Sequence, residues 1–238
     1  MSPEEIHNQI REDARKEIEL EDHTHKKVHT RLSYFSKIIM GLLLVLLLIL
    51  MILPYYSIKL NPEPKNIPSI SEVTPSNIQE FVTNSTIFAD KKNIFKNFQP
   101  SNPLIKQIAS KVVSQSCPSG NKICQAKAIY YFVRDNINYV SDPQSEYIED
   151  PLEVIYTTGA DCDGMAVLLA SLEGAIGINA GFVFIPNHVY VQIYLPDASW
   201  KYKDSDGWIN LDATCKNCAF GEIPVSSQKS DKDYFKNI

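Results

Sequence analysis

From Ile38 to Leu53 the chain carries no charge and no strongly polar side chain, and this run decides how the remainder can be arranged. Tyr34 and Phe35 precede it and Tyr55 and Tyr56 follow, the placing expected of aromatics at a membrane interface. At 1.5 Å per residue a helix from Tyr34 to Tyr56 is about 33 Å long, against about 30 Å of hydrocarbon in a bilayer. A cleaved signal peptide is the rival reading. More than thirty residues stand in front of the run, however, and Pro54-Tyr55-Tyr56 is a poor cleavage site, so an uncleaved signal anchor is expected. Lys26, Lys27, Arg31 and Lys37 crowd the N-terminal flank, whereas Lys59 and Lys65 are the nearest basic residues beyond it. That asymmetry predicts a single-pass protein of the cell membrane with its N-terminus in the cytoplasm and residues after 56 outside.

The anchor divides the chain. Residues 1–37 form a cytoplasmic segment in which Ser2-Pro3-Glu4-Glu5 opens a helix that Ile6, Ile10, Ala14 and Ile18 carry to about residue 21. Its apolar stripe is one residue wide, which fits a solvated helix. His23, His25 and His29 form a loose cluster to which no metal is assigned. Residues 38–56 are the anchor. Residues 57–76 hold Pro62, Pro64, Pro68 and Pro75 among polar residues and read as an extended stalk. Residues 77–238 form the outer domain, with a core at about 101–225 and a polar, loose tail from Ser226. Asn84-Ser85-Thr86 is a glycosylation sequon within it.

In that domain Leu104, Ile105, Ile108, Val112 and Val113 keep helical spacing, as do Ala126, Ile129, Tyr130 and Val133 after a turn at Cys117-Pro118-Ser119-Gly120. Ile137 to Val140 look extended, and Asp150-Pro151-Leu152-Glu153 is a capped helix start. Gly159-Ala160-Asp161-Cys162-Asp163 is a turn opening the apolar run Met165 to Leu172, so it places the Cys162 thiol at a helix N-terminus, where dipole and free N–H groups favour thiolate. Strands follow at Val183 to Ile185, Val189 to Leu195 and Trp208 to Leu211. In the second, His188, Tyr190, Gln192 and Tyr194 share a polar face. The fold class is therefore α+β, helices first and an antiparallel sheet after.

Cys162, His188 and Asp212 are the parts of a thiol nucleophile, its base and the group orienting that base. Their context resembles the transglutaminase-like (transglutaminase core) superfamily of papain-like cysteine acyltransferases and hydrolases. The resemblance runs from about Ile129 to Thr214 through Gly159 to Cys162, Gly177-Ile178-Asn179-Ala180, His188-Val189-Tyr190 and Trp208-Ile209-Asn210-Leu211-Asp212-Ala213-Thr214. It departs from the usual pattern at Ala160-Asp161, at Gly181 where an Arg is usual, and at Tyr190 where a Trp is common; no triad position is lost. It implies acyl transfer through a thioester on a peptide or carboxamide bond. Hydrolysis is expected over transamidation, because nothing resembles the extra domains or metal sites of the animal crosslinking enzymes. The Cys162 N–H is one expected oxyanion donor; Tyr139, Asn187, Tyr190 and Trp208 are candidates for further oxyanion or substrate contacts. No cofactor and no metal are implied, and the expected partners are the membrane and a protein or peptide-containing substrate of the cell envelope.

Cys162 is the odd cysteine of five. In an oxidising compartment Cys117 with Cys124 and Cys215 with Cys218 are the simplest disulfide pairs; the same four thiols as a zinc site are the alternative. Asp161 and Asp163 flank the thiol with charge that opposes a thiolate. The net charge of −5 and the lack of a basic patch argue against nucleic acid. The reading from another class is a non-catalytic binding module at the cell surface.

Overall fold

The computed structural model describes the backbone of residues 3–82, 93–141 and 147–236; the sequon at Asn84 lies outside them. The chain divides into Met1–Tyr56 and Ser57–Ile238. Helix α1 (Pro3–Leu60) runs through the whole first unit. Within it Tyr34–Leu53 is 20 residues long with a mean hydropathy of 2.8, long and apolar enough to cross a membrane.

The second unit is built on α6 (Cys162–Ala175), which lies between helices and sheet. Every residue from Gly164 to Glu173 is buried, as expected of a helix that is apolar all round. Three helices pack around it. In α3 (Pro103–Ser116) Asn102 caps the start by accepting from the Leu104 N–H, and in α4 (Lys122–Asn136) Asn121 accepts from the N–H groups of Ile123 and Cys124. In α5 (Pro151–Thr157) the cap is Asp150, with Pro151 at the first helical position, and the helix stops where Thr158 turns left-handed at φ 57°. Short helices also form at α2 (Ile70–Val73) and α7 (Val225–Gln228).

On the other side of α6 lies a four-stranded antiparallel sheet in the order β5-β4-β3-β6, comprising β3 (Ala180–Ile185), β4 (His188–Tyr194), β5 (Trp208–Leu211) and β6 (Asp233–Lys236). A separate parallel pair joins β1 (Asn138–Tyr139) to β2 (Gly159–Ala160). Val189, Val191 and Ile193 of β4 face the main core. Phe182 of β3 meets Phe95 and Phe98 edge-on at centroid distances of 5.3 and 6.3 Å.

Three segments depart from the sequence expectation. Of residues 57–76, expected as a stalk, the Pro-rich part 61–76 lies on the domain: the Lys65 N–H donates to Ser116 O at 3.0 Å, Ile67 and Ile70 pack on the core and Val73 is wholly buried in it. Four spaced apolar residues, Ile67, Ile70, Val73 and Ile78, bury enough surface to hold a segment whose average composition is polar. The tail, expected loose, forms β6 and covers the free edge of β3, which removes unpaired backbone groups. The polar face of β4 is closed as well: Tyr190 and Gln192 are buried, Tyr190 in a small second cluster with Val183 and Ile223.

Candidate active site

Cys162 is the first residue of α6. The Asp161 carboxylate caps that helix by accepting from the N–H groups of Asp163 (2.9 Å) and Gly164 (3.4 Å), so the flanking charge performs a structural task. Pairing of β1 with β2 sets Tyr139 opposite Ala160, two residues before the thiol. Among the described residues Cys162 is the one free cysteine; disulfides join Cys117 to Cys124 and Cys215 to Cys218.

His188 enters from a two-residue hairpin turn, Pro186-Asn187, closed by the pair Ile185 and His188. Asn187 adopts the left-handed conformation there, φ 59°. Asp212 follows the last residue of β5, where Leu211 pairs with Val191 of β4, and this register brings it under His188. His188 Nε2 and Asp212 Oδ2 are 2.9 Å apart, and Asp212 is 1 % exposed. The second carboxylate oxygen, Oδ1, accepts from Thr214 Oγ1 at 2.6 Å and from the Thr214 N–H at 3.1 Å. With Nε2 committed to Asp212, the other ring nitrogen is the one free to meet Cys162, which hydrogen-bonds the imidazole.

The loop after Asp212 is tied down from α4. Tyr130 OH donates to Cys218 O at 3.1 Å, Arg134 Nη1 donates to the same carbonyl at 2.7 Å, and the Cys215–Cys218 disulfide closes the loop. The disulfide is one of the two pairs expected from the sequence, whereas the contacts of Tyr130 and Arg134 with Cys218 join residues more than eighty apart and have no local signal.

Burial pulls the His188 pKa down, but the hydrogen bonds the ring makes with Asp212 and Cys162, and their charges, outweigh it, and the group rises from 6.5 to about 9. The ring is therefore cationic at neutral pH and its charge favours a thiolate beside it. Asp163 is pushed up to about 10 by burial, by its hydrogen bond with Asp161 and by the charges of Asp161, Glu149 and Cys162. It is protonated at neutral pH, which removes one of the two charges expected to oppose the thiolate. Glu149, Asp161 and Asp163 place carboxylate oxygens within 4.8 Å of one another, the one such group among the described residues. With Asp163 deprotonated, three hard oxygen ligands at that spacing could hold a divalent cation of the calcium type, with water completing its shell. Glu149 is remote from the Asp-Cys-Asp run in sequence, so no local motif joins the three carboxylates.

Of the further candidates, Tyr139 lies close enough to Cys162 to feel its charge and is 51 % exposed, with its phenol raised first by burial and then by the thiol and by Asp161 and Asp163. Asn187 lies in the exposed turn before His188. Tyr190 is buried beside His188, ring centroids 6.3 Å apart, and lines the same small hollow as Cys162 and Asp212. Trp208 is at the opposite end of the sheet from Asp212, pairs with Tyr194 and is not part of the cluster.

The sequence model of the transglutaminase-like superfamily matches residues 106–213, a span that contains Cys162, His188 and Asp212. The match covers a little under half of the chain, and over that span the chain is similar to the superfamily whose motifs it resembles. No curated protein matches the chain. Among solved structures, Legionella pneumophila LapG is similar in three forms. The calcium-bound form is 14 % identical, covers 69 % of this chain and 82 % of its own, and gives a TM-score of 0.34. A second is 15 % identical over 63 % and 83 %, TM-score 0.35, and the EGTA-treated form 16 % identical over 63 % and 81 %, TM-score 0.35.

Proposed function

We propose that this protein is a membrane-anchored, extracytoplasmic cysteine hydrolase that cleaves peptide or carboxamide bonds through Cys162, His188 and Asp212. The observation that carries the reading is the 2.9 Å contact of Asp212 with one nitrogen of an imidazole whose other side meets the Cys162 thiol.

Cys162 Sγ attacks the substrate carbonyl carbon, and the negative charge that develops on oxygen is met by the Cys162 N–H at the start of α6, with Tyr139 as a candidate side-chain donor. His188, cationic at rest, gives its proton to the departing nitrogen; the C–N bond breaks and a thioester forms. Water attacks as His188 takes its proton, the C–S bond breaks, and the carboxylic acid leaves while the Cys162 thiolate and the His188 cation are restored. Asp212, held by Thr214, keeps the ring in one orientation and stabilises its positive form. The exposed apolar segment Tyr34–Leu53 supports anchoring, the flanking lysines and arginine support an outer position, and both disulfides fit an oxidising compartment. Hydrolysis is the reaction proposed, and competition by added primary amine tests it against transamidation.

The test is labelling of the full-length protein with a peptide that carries an electrophilic carbonyl in place of its scissile amide. Adduct on Cys162, absent in Cys162→Ala and not diverted by added primary amine in a turnover assay, is the expected result. A folded protein that binds the peptide without forming the adduct is instead a binding module.

A further inference from the structure

The triad and an aromatic cluster occupy opposite ends of one sheet. His188 opens β4 and Tyr194 closes it, six residues further on and therefore about 20 Å away. At the Tyr194 end Trp208 pairs with Tyr194, ring centroids 5.4 Å apart, and the connecting loop 196–207 raises Trp200, which at 84 % is the most exposed large apolar side chain among the described residues.

The same loop holds the chain where it leaves the apolar helix. Tyr202 OH accepts from Asn61 Nδ2 at 3.0 Å. Lys127 Nζ, with its side chain 0 % exposed, donates to Asn61 Oδ1 at 2.8 Å and to Glu63 Oε1 at 2.5 Å, and lies 5.0 Å from the centre of the Tyr202 ring. Only the lysine of this pair is buried, the Glu63 side chain being 57 % exposed, but leaving a buried ammonium without its acceptors is costly, so residues 61–63 stay beside Tyr202. Asn61 is eight residues after Leu53, a reach of at most about 28 Å even when extended. A loop fixed to Asn61 is thereby kept close to whatever surface Leu53 occupies.

We infer that the Tyr194, Trp200 and Trp208 end of the domain rests in the headgroup zone of the bilayer, with Trp200 inserted, so that the triad is held away from the membrane. The inference rests on the membrane-anchored reading. The bound surface is zwitterionic lipid engaged by aromatic side chains rather than by charge: Lys201 and Lys203 of the loop are offset by Asp197, Asp204 and Asp206. Trp rings favour this zone because one edge is apolar and the other donates a hydrogen bond.

The full chain is reconstituted into phosphatidylcholine vesicles with or without bromine on the acyl chains, and tryptophan emission is compared for wild type and Trp200→Phe. Wild type should lose roughly a third or more of its emission in brominated vesicles, since Trp200 is one of two tryptophans and lies nearest the quencher, while Trp200→Phe should lose far less. Chain that floats with the vesicles but is quenched equally in both proteins overturns this inference alone. Chain that does not float overturns it together with the anchoring.

Discussion

Thr214 grips Asp212 twice through one oxygen: its hydroxyl donates to Oδ1 at 2.6 Å and its N–H at 3.1 Å, which leaves Oδ2 for His188. Thr214 is therefore a positioning residue. Thr214→Val keeps the shape and deletes the hydroxyl donor, a bond to a charged group worth about 1.5–3 kcal/mol. Acylation by the electrophilic peptide should slow roughly 10-fold or more, by the usual 1.4 kcal/mol per decade. The alkaline limb of the rate should move to lower pH, and Thr214→Ser should restore both. A Thr214→Val protein with wild-type rate and pH profile would remove Thr214 from the site.

The pH profile follows from His188. Its folded pKa of about 9 lies above the ordinary 6.5, so the His188–Asp212 pair stabilises fully below about pH 6.5 and loses that contribution as pH rises through about 9. The rate has the same sign, because the proton given to the leaving nitrogen is the one lost there. Hydrolysis of the peptide substrate should therefore fall above about pH 9. In Asp212→Asn, where burial still lowers the ring and the charge that raised it is gone, the fall should begin at lower pH.

Asp163 predicts the opposite kind of variant, one that gains stability. A carboxyl raised from 3.8 to about 10 binds a proton more tightly in the folded protein than in the unfolded chain. Stability must then decline from about pH 4 to about pH 10, which makes the group a burden at neutral pH. Asp163→Asn imitates the protonated form at almost the same size. Its thermal midpoint should exceed that of wild type at pH 8 and equal it near pH 4, as followed by circular dichroism. A lower midpoint at both pH values would show that Asp163 is held ionised.

Much of the site was legible because its signals are local. A Gly-rich turn before an apolar run fixes Cys162 at a helix start, and alternation fixes His188 at the head of a strand. The hairpin Pro186-Asn187 then sets the register that delivers Asp212, which the run Trp208 to Thr214 marks. Pairwise facts over long separations were not legible. Nothing near Glu149 announces Asp163, nothing near Tyr130 announces Cys218, and Val73 sits in the core from a segment whose prolines suggest the opposite. Trp208 shows the limit of motif reading: it shares a short motif with Asp212, but β5 carries the two to opposite ends of the sheet.

Gly164, the third residue of α6, tests how tightly the carboxylates press on the nucleophile helix. A Cβ there would lie 2.3 Å from Glu149 Oε2 and 2.9 Å from Ala160 Cβ. In a free helix Gly→Ala stabilises by about 1 kcal/mol. Here overpacking, about 1–3 kcal/mol, works against that gain and should win, because Ala160 is held by the β1–β2 pair and cannot recede. Gly164→Ala should lower the thermal midpoint and displace Cys162, with slower labelling of the thiol. An unchanged or higher midpoint would mean that Glu149 moves aside freely.

The last prediction separates an activated thiol from one that is merely accessible. Cys162 is partly exposed at a helix start, so some reaction with iodoacetamide is expected whatever its partners do. If the imidazolium of His188 maintains the thiolate, alkylation of folded wild type should be fast at neutral pH and fall sharply in His188→Ala. Asp212→Ala should fall less, because it removes the group that orients and charges the ring but leaves the ring. Base deletion in such systems is worth about 10²- to 10⁴-fold in turnover, so hydrolysis should drop by at least that lower figure in His188→Ala. Each variant must be compared as folded protein by circular dichroism, since Asp212 adjoins the loop closed by Cys215 and Cys218 and a disordered loop would imitate lost activation. Equal alkylation rates in folded wild type and folded His188→Ala would show that the helix start alone makes the thiol reactive, and the binding-module reading would then account for the site better than catalysis.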